Sequence, residues 1–155
     1  MMYLMTGDLL ESDCEYICHQ VNCQGKMGSG IAKQIKNKWK AVYDMYMNVA
    51  SPSQLGHIQK VFIQDPKINI RCIVNMFAQE YYGYDGRRYT SYDAFWNCLH
   101  GLKEKTPKGK SIGFPKGIGC GLGGANWEVI LQMIIEVLGN DYDIYIYQLE
   151  EEKND

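Results

Sequence analysis

The apolar residues of this 155-residue chain follow two kinds of pattern. Six short runs rich in Ile, Val, Tyr and Phe predict strands, because β-branched and aromatic residues favour a pleated sheet. The predicted strands span residues 2–6, 16–21, 59–63, 71–77, 111–114 and 143–147. Helical patterns lie among these runs. The alternation predicts an α/β fold, a three-layer α/β/α sandwich around a mixed central sheet of about six strands.

Helices are predicted where apolar residues recur three and four positions apart. The clearest apolar face consists of Trp127, Ile130, Leu131, Ile134, Ile135 and Leu138. The other faces consist of Ile31, Ile35 and Trp39; of Val42, Met45, Tyr46 and Val49; and of Tyr92, Phe95, Trp96, Leu99 and Leu102. Asn126 is a suitable N-cap for the last helix. Thr90 and Asp93 resemble a capping pair for the Tyr92 helix.

Composition and charge narrow the class of protein. A length of 155 residues fits one domain, which we expect over residues 1–149, with a charged tail at 150–155. Hydrophobic residues make up 46% of the chain, enough for a sizeable core. The formal net charge of −2 offers no basic field and predicts no nucleic-acid partner. No segment resembles a signal peptide or is long enough to span a bilayer, so we expect a cytoplasmic protein without a membrane partner.

The six cysteines are expected to be reduced thiols in that compartment. Cys14, Cys18, His19 and Cys23 lie close together in sequence but lack a CxxC pair, and the other cysteines stand singly far along the chain. This spacing favours small buried thiols over a zinc site. No metal or redox cofactor is required by the residues present.

Two glycine-rich loops carry the sharpest chemical signal. Residues 22–30 read Asn-Cys-Gln-Gly-Lys-Met-Gly-Ser-Gly, and residues 117–124 read Gly-Ile-Gly-Cys-Gly-Leu-Gly-Gly. Each follows a predicted strand and leads to a helix, where glycine permits close backbone approach and free N–H groups favour anions. Turning alone needs fewer glycines, so the pair predicts a diphosphate held from both sides. A tyrosine- and glycine-containing stretch, residues 80–88, indicates a surface loop that can lie over a site.

Other nucleotide-binding patterns are disfavoured. Gly109-Lys110-Ser111 matches the end of a P-loop, but Glu104 occupies the first glycine position and a strand follows. A Rossmann fold needs GxGxxG after the first strand, where this chain has Gly7-Asp8.

The motifs, in this order, resemble the macrodomain, or ADP-ribose-1″-phosphate processing, family. The resemblance rests on Gly7-Asp8-Leu9, the loop 22–30 with Ile31-Ala32, residues 74–79 and 88–94, Gly119–Gly124 and residues 145–149. It is nearest to the branch containing the yeast ADP-ribose-1″-phosphate phosphatase and the terminal ADP-ribose protein glycohydrolase.

This resemblance implies ADP-ribose, or a derivative of it, as the ligand. Asp8 would accept a hydrogen bond from the adenine amino group, and the amides of Gly119–Gly124 would hold the diphosphate. Asn22, Gly25 and Gly28 would surround the distal ribose. Further ligand contacts are expected at Leu9, Lys26, Met27, Gly30, Ile31, Asn75, Gly119, Cys120, Gly121, Leu122, Gly123, Gly124, Asn126 and Tyr147.

The candidate catalytic residues are His19 and Asn22. His19 resembles a histidine of the yeast phosphatase, which would orient water or transfer a proton; the alternative is a core histidine. Cys23 and Cys120 are rival nucleophiles. The terminal glycohydrolase uses a lysine and an aspartate, whereas this chain has Asn75-Met76-Phe77 and Gly123 there, so a lysine-adduct mechanism is disfavoured.

Related members have an aspartate where this chain has Asn126, which cannot act as a general base. The leading prediction is an ADP-ribose-binding hydrolase acting at the distal ribose, most simply a 1″-phosphatase or a related de-ADP-ribosylating or deacylating enzyme. Its partner would be ADP-ribose or an ADP-ribosylated protein. The alternatives are a non-catalytic ADP-ribose reader and an unrelated nucleotide binder that prefers ATP or NAD.

Overall fold

The structure, a computed structural model, describes residues 1–150; most of the predicted tail lies outside them. The strands are β1 (Met2–Thr6), β2 (Tyr16–Asn22), β3 (Ile58–Phe62), β4 (Cys72–Gln79), β5 (Ser111–Pro115) and β6 (Asp143–Gln148). The helices are α1 (Gly30–Lys38), α2 (Lys40–Val49), α3 (Tyr92–Lys105) and α4 (Trp127–Leu138). Short 3-10 helices cover Leu9–Glu11 and Pro52–Gln54.

The strands form one mixed sheet in the order β1-β6-β5-β2-β4-β3. Every pairing is parallel except that of β3, which runs antiparallel to β4 at one edge. Apolar residues of α1 and α2 pack on one face of the sheet, and those of α3 and α4 pack on the other. The predicted three-layer α/β/α sandwich is therefore confirmed, with strand limits within two residues of those predicted.

Three local predictions need correction. Ser91, rather than Thr90, caps α3, and its side chain accepts a hydrogen bond from the Ala94 amide. Thr90 is buried and faces the second glycine loop instead. Met45 and Ile135 were expected on apolar helix faces, but they are 44% and 38% exposed because the contact surface of each helix is narrower than its apolar stripe.

The loops that follow the parallel strands all lie at the C-terminal ends of these strands, on the same side of the sheet. Neighbouring strands β2 and β5 deliver the two glycine-rich loops there. The Gly7-Asp8 turn follows β1, and the 80–90 loop follows β4. The C-terminal ends of the strands are the usual ligand site of an open α/β sheet. None of the helices within residues 1–150 has the length and apolarity needed to cross a membrane.

Candidate functional site

A cleft runs along the C-terminal ends of the parallel strands and has three adjoining sections. The outer, middle and inner sections have cavity volumes of about 720, 330 and 220 Å³. The outer and middle sections share Gly30, Ile31, Pro115, Lys116 and Gly117. The middle and inner sections share Gln20, Ser29, Ala32, Gln79 and Leu122. Shared walls make them one site, large enough for an extended dinucleotide-like ligand.

The outer section combines flat rings with one carboxylate. Tyr147 and Trp127 line it together with Leu9 and Ile31. Asp8 is exposed there, and its Oδ1 accepts a hydrogen bond from the Leu10 amide at 2.9 Å, which caps the first 3-10 helix. A heteroaromatic ring carrying an amino donor suits this combination, because the rings offer stacking area and the carboxylate offers acceptors.

The middle section is formed mainly by backbone. The second glycine loop is fixed by hydrogen bonds from the Thr90 hydroxyl to the Gly119 carbonyl at 2.8 Å and from the Tyr89 amide to the Gly123 carbonyl at 2.8 Å. Opposite it, α1 begins at Gly30, and Ser29 makes no capping side-chain hydrogen bond. The first turn of α1 contains no acidic residue, so its amides remain suited to an anion.

Two glycines in the cleft are not needed by the fold. A β-carbon at Gly28 or Gly121 would meet no atom within 4 Å, and neither residue has a positive φ. Among the sixteen glycines of the chain, no other combines these two properties. By contrast, a β-carbon at Gly123 would lie 2.6 Å from the Gly119 carbonyl oxygen. Gly28 and Gly121 therefore keep space open where a ligand can approach the backbone.

Asn22 supports the inner section rather than reaching into it with a free group. Its Oδ1 accepts hydrogen bonds from the Gln24 amide at 3.0 Å, the Lys26 amide at 3.3 Å and the Tyr46 hydroxyl at 2.9 Å. Its Nδ2 donates to the Lys26 carbonyl at 2.9 Å. Burial raises the pKa of Tyr46 to about 12, so this donor keeps its proton. Asn22 thus shapes the first glycine loop.

A glutamine pair that the sequence analysis missed lies at the junction of the middle and inner sections. The Gln20 Nε2 donates to the Gln79 Oε1 at 2.8 Å and to the Thr90 hydroxyl at 2.7 Å. The Gln20 Oε1 is buried and has no hydrogen-bond partner. Gln20 itself lines both sections, so its side chain forms part of the cleft floor. The only sequence signal was a polar residue on β2, just before the first glycine loop.

His19 and Asn75 lie outside the cleft, which corrects their expected roles. The His19 ring is fully buried, and its Nε2 lies 2.5 Å from the Asn75 Oδ1. The Asn75 Nδ2 donates to the Gln59 Oε1 at 3.0 Å. Burial lowers the pKa of His19 to about 4, although the Asn75 contact acts in the opposite direction. We call the fully buried His19 and Asn75, together with the half-buried Gln59, the buried polar cluster. His19 does not reach a cleft ligand.

The remaining predicted contacts divide into two groups. The cleft is lined by Asp8, Leu9, Asn22, Lys26, Gly28, Gly30, Ile31, Gly119, Gly121, Leu122, Gly123 and Tyr147. Five more do not line it: Gly25, Met27, Cys120, Gly124 and Asn126. Asn126 instead caps α4 by accepting from two amides, and Met27 is 2% exposed within the core. Sequence proximity to a loop does not give access to the ligand space.

The two cysteines of the glycine-rich loops are not activated as nucleophiles. Burial raises the pKa of the Cys23 thiol to about 11, with the nearby Glu80 acting in the same direction. Burial also raises the pKa of Cys120. Neither residue lines any section of the cleft. Both thiols are therefore protonated near neutral pH and unsuited to attack.

A family model described as "Macro domain" matches residues 18–134. The chain belongs to the macrodomain family. The family expected from the sequence is thereby confirmed. A likeness in fold extends over nearly the whole chain: the macrodomain of Mycobacterium tuberculosis DarG has a TM-score of 0.80 and 25% identity, covering 95% of this macrodomain and 97% of that chain. Thermosipho africanus DarTG in complex with ADP-ribose has a TM-score of 0.78 and 19% identity, and the match covers 99% of this chain and 43% of that chain. The latter shows the fold alone.

Two curated relatives align with nearly the whole chain. A DNA ADP-ribosyl glycohydrolase of Thermus aquaticus is 26% identical over 152 residues, 96% of this chain and 41% of the relative. A protein of the same name from Mycobacterium tuberculosis is 27% identical over 150 residues, which are 92% of this chain and 40% of the relative. The macrodomain thus spans about two fifths of their length. These relatives are not the yeast phosphatase or the terminal protein glycohydrolase, and their name includes DNA. The expectation that nucleic acid is no partner is therefore not supported.

Proposed function

We propose that this macrodomain binds ADP-ribose along the cleft and releases it from ADP-ribosylated DNA. The observation that carries the proposal is the pair of glycines, Gly28 and Gly121, that the fold does not require and that both line the cleft. A ligand that passes close to both loops explains why neither position has a side chain. ADP-ribose fits because each of its three parts matches one section.

The order of the sections supports one orientation of the ligand. The adenine lies in the outer section between Tyr147 and Trp127, with its amino group donating to Asp8. The diphosphate lies in the middle section between the amides of the second glycine loop and the start of α1. The distal ribose then enters the inner section, which is lined by Gln20, Asn22 and Lys26.

Cleavage would separate the anomeric carbon of the distal ribose from the base that carries it. Lys26 is the one ammonium group that lines the inner section, among the residues that the structure describes. Its charge would stabilise the base as it leaves with the electron pair of the broken glycosidic bond; water adds its hydroxyl to the anomeric carbon, and the base takes up the proton. DNA is favoured over protein as the carrier because the curated relatives are named for that substrate.

The second candidate function is a reader that binds ADP-ribose without cutting. It is supported by the lining of the inner section, where the described part of the chain places no carboxylate, histidine or cysteine. Hydrolysis by a positioned general base would therefore lack its usual group. The 1″-phosphatase expected from the sequence stays a prediction.

The test is a calorimetric titration with ADP-ribose, followed by incubation with three substrates. These are a single-stranded oligonucleotide with an ADP-ribosylated base, an ADP-ribosylated peptide and ADP-ribose 1″-phosphate. Binding with release from the oligonucleotide supports the proposal, and Lys26→Met should slow this release. Binding without release from any substrate favours the reader. Absence of binding would contradict both functions.

A further inference from the structure

The exposed tyrosines of this macrodomain are concentrated in one loop. The chain has twelve tyrosines, and the exposed ones are Tyr81, Tyr82 and Tyr84, which are 57%, 40% and 72% exposed. The other nine are buried or half-buried. Neighbouring large aromatic side chains displayed to solvent indicate a binding surface, because the fold gains little from them. We call these three residues the tyrosine patch.

The loop that carries the patch is held in one conformation by its own contacts. The Tyr89 hydroxyl donates to the Asp85 Oδ1 at 2.7 Å, and the Arg87 amide donates to the same oxygen at 3.2 Å. A β-carbon at Gly83 would overlap the Tyr89 hydroxyl, so the backbone packs directly on that ring. The Gln79 Nε2 donates to the Tyr81 carbonyl at 2.8 Å. The patch is therefore preorganised, which lowers the entropic cost of binding.

The position of the patch connects it to the inner section. Tyr82 and Tyr84 line that section, whereas Tyr81 does not line any part of the cleft. Lys26 of the first glycine loop lines the inner section together with Tyr82 and Tyr84, and Arg88 follows the patch in the same 80–88 stretch. Within residues 1–150, neither forms an ion pair with a carboxylate. The Arg88 guanidinium lies 4.6 Å from the centroid of the Tyr92 ring.

We propose that the tyrosine patch stacks the bases of single-stranded DNA next to the modified nucleotide, while Lys26 and Arg88 face its phosphates. This inference rests on the proposed function, since ADP-ribose must first place the modified base at the inner section. Base stacking on aromatic side chains tolerates any sequence and requires unpaired bases. Aromatic rings beside unpaired cations match nucleic acid, which alternates flat bases and phosphates, better than a peptide.

The test compares two ligands on the same variants. One is a labelled single-stranded oligonucleotide that carries ADP-ribose through a carbon–carbon glycosidic bond, which water cannot cleave; the other is free ADP-ribose. Tyr81→Ala is the main variant because Tyr81 lies outside the cleft. Phe62→Ala is the matched control, because Phe62 is 62% exposed on the edge strand β3, away from the cleft. Affinities are measured by fluorescence anisotropy and calorimetry.

The parent should bind the modified oligonucleotide more tightly than free ADP-ribose. Tyr81→Ala should weaken oligonucleotide binding by about fivefold to tenfold, at the lower end of measured stacking contributions, and leave ADP-ribose binding within about twofold. Phe62→Ala should change neither. Equal affinity of the parent for both ligands, or an equal loss for both in Tyr81→Ala, would overturn the inference while the proposed function stands. The same Tyr81-dependent gain with an ADP-ribosylated peptide would also overturn it. Failure of the parent to bind free ADP-ribose would overturn both.

Discussion

Two neighbouring residues of β2 lie in different surroundings: His19 belongs to the buried polar cluster, and Gln20 lies at the floor of the cleft. His19 points to one face of the sheet and contacts Asn75, while Gln20 points to the other and contacts Gln79 and Thr90. Each side chain has one buried atom without a hydrogen-bond partner, the His19 Nδ1 and the Gln20 Oε1. The difference is access, because Gln20 lines the cleft and His19 is fully enclosed. Residue chemistry alone therefore does not identify a functional group.

This comparison predicts that changes in the cleft alter binding and leave stability intact, whereas changes in the buried polar cluster do the reverse.

The largest effect is expected for Gly121→Val. Its β-carbon would project into the middle section, where it meets no protein atom within 4 Å, so ADP-ribose binding should fall by more than about 100-fold, or roughly 3 kcal/mol. Calorimetry measures the affinity, and urea unfolding should stay within about 1 kcal/mol of the parent. Gly123→Val is the contrasting variant, and it should unfold more easily because of its contact with Gly119. An unchanged affinity in folded Gly121→Val would show that the ligand lies elsewhere.

The second effect is on stability. Asn75→Ala removes the partner of both the His19 Nε2 and the Gln59 Oε1, and it leaves a cavity among fully buried residues. We expect the free energy of unfolding to fall by about 2–4 kcal/mol. Urea denaturation measures this loss. ADP-ribose affinity at low temperature, where the variant is folded, should match that of the parent. A selective loss of affinity would place Asn75 in the site after all.

The third effect is a pH dependence of stability. Burial lowers the folded-state pKa of His19 to about 4, below the ordinary value near 6.5. Between these values the unfolded chain binds the proton first, so stability is fully present above pH 6.5 and decreases as the pH falls toward 4. The loss attributable to His19 should reach about 2–3 kcal/mol. Urea midpoints measured from pH 7 to pH 4 should fall less steeply in His19→Gln than in the parent. Parallel curves would contradict the burial of a neutral ring.

The smallest effect is expected for Asp8→Asn. The amide keeps an oxygen that caps the Leu10 amide, but it loses the charge and the second carboxylate oxygen that would accept from adenine. ADP-ribose binding should weaken by about 1–2 kcal/mol, as for a hydrogen bond to a charged group. Ribose 5-phosphate, which lacks adenine, should bind equally to both proteins in calorimetry. An equal loss for the two ligands would make Asp8 structural.

The sequence was sufficient for the sandwich because short strand-like runs and helical faces alternate clearly along the chain. The glycine loops could also be predicted, since a glycine cluster between a strand and a helix is typical of backbone that contacts an anion. The face of the sheet to which each side chain points could not be predicted from the sequence. Nearly all of β2 is buried on both faces, so no alternation of polar and apolar residues shows which face His19 occupies. The Gln20–Gln79–Thr90 contacts join residues about 60 to 70 positions apart, and only the fold brings them together.

The central claim is that ADP-ribose occupies the cleft and not the region around the buried polar cluster. The most direct measurement is the change in backbone amide chemical shifts of isotope-labelled protein during titration with ADP-ribose. If ADP-ribose occupies the cleft, large changes are expected in residues 22–30 and 117–124 and at Asp8 and Tyr147, with small changes on β3. Saturable changes centred on β3 and Asn75, or no changes at millimolar ADP-ribose, would contradict it.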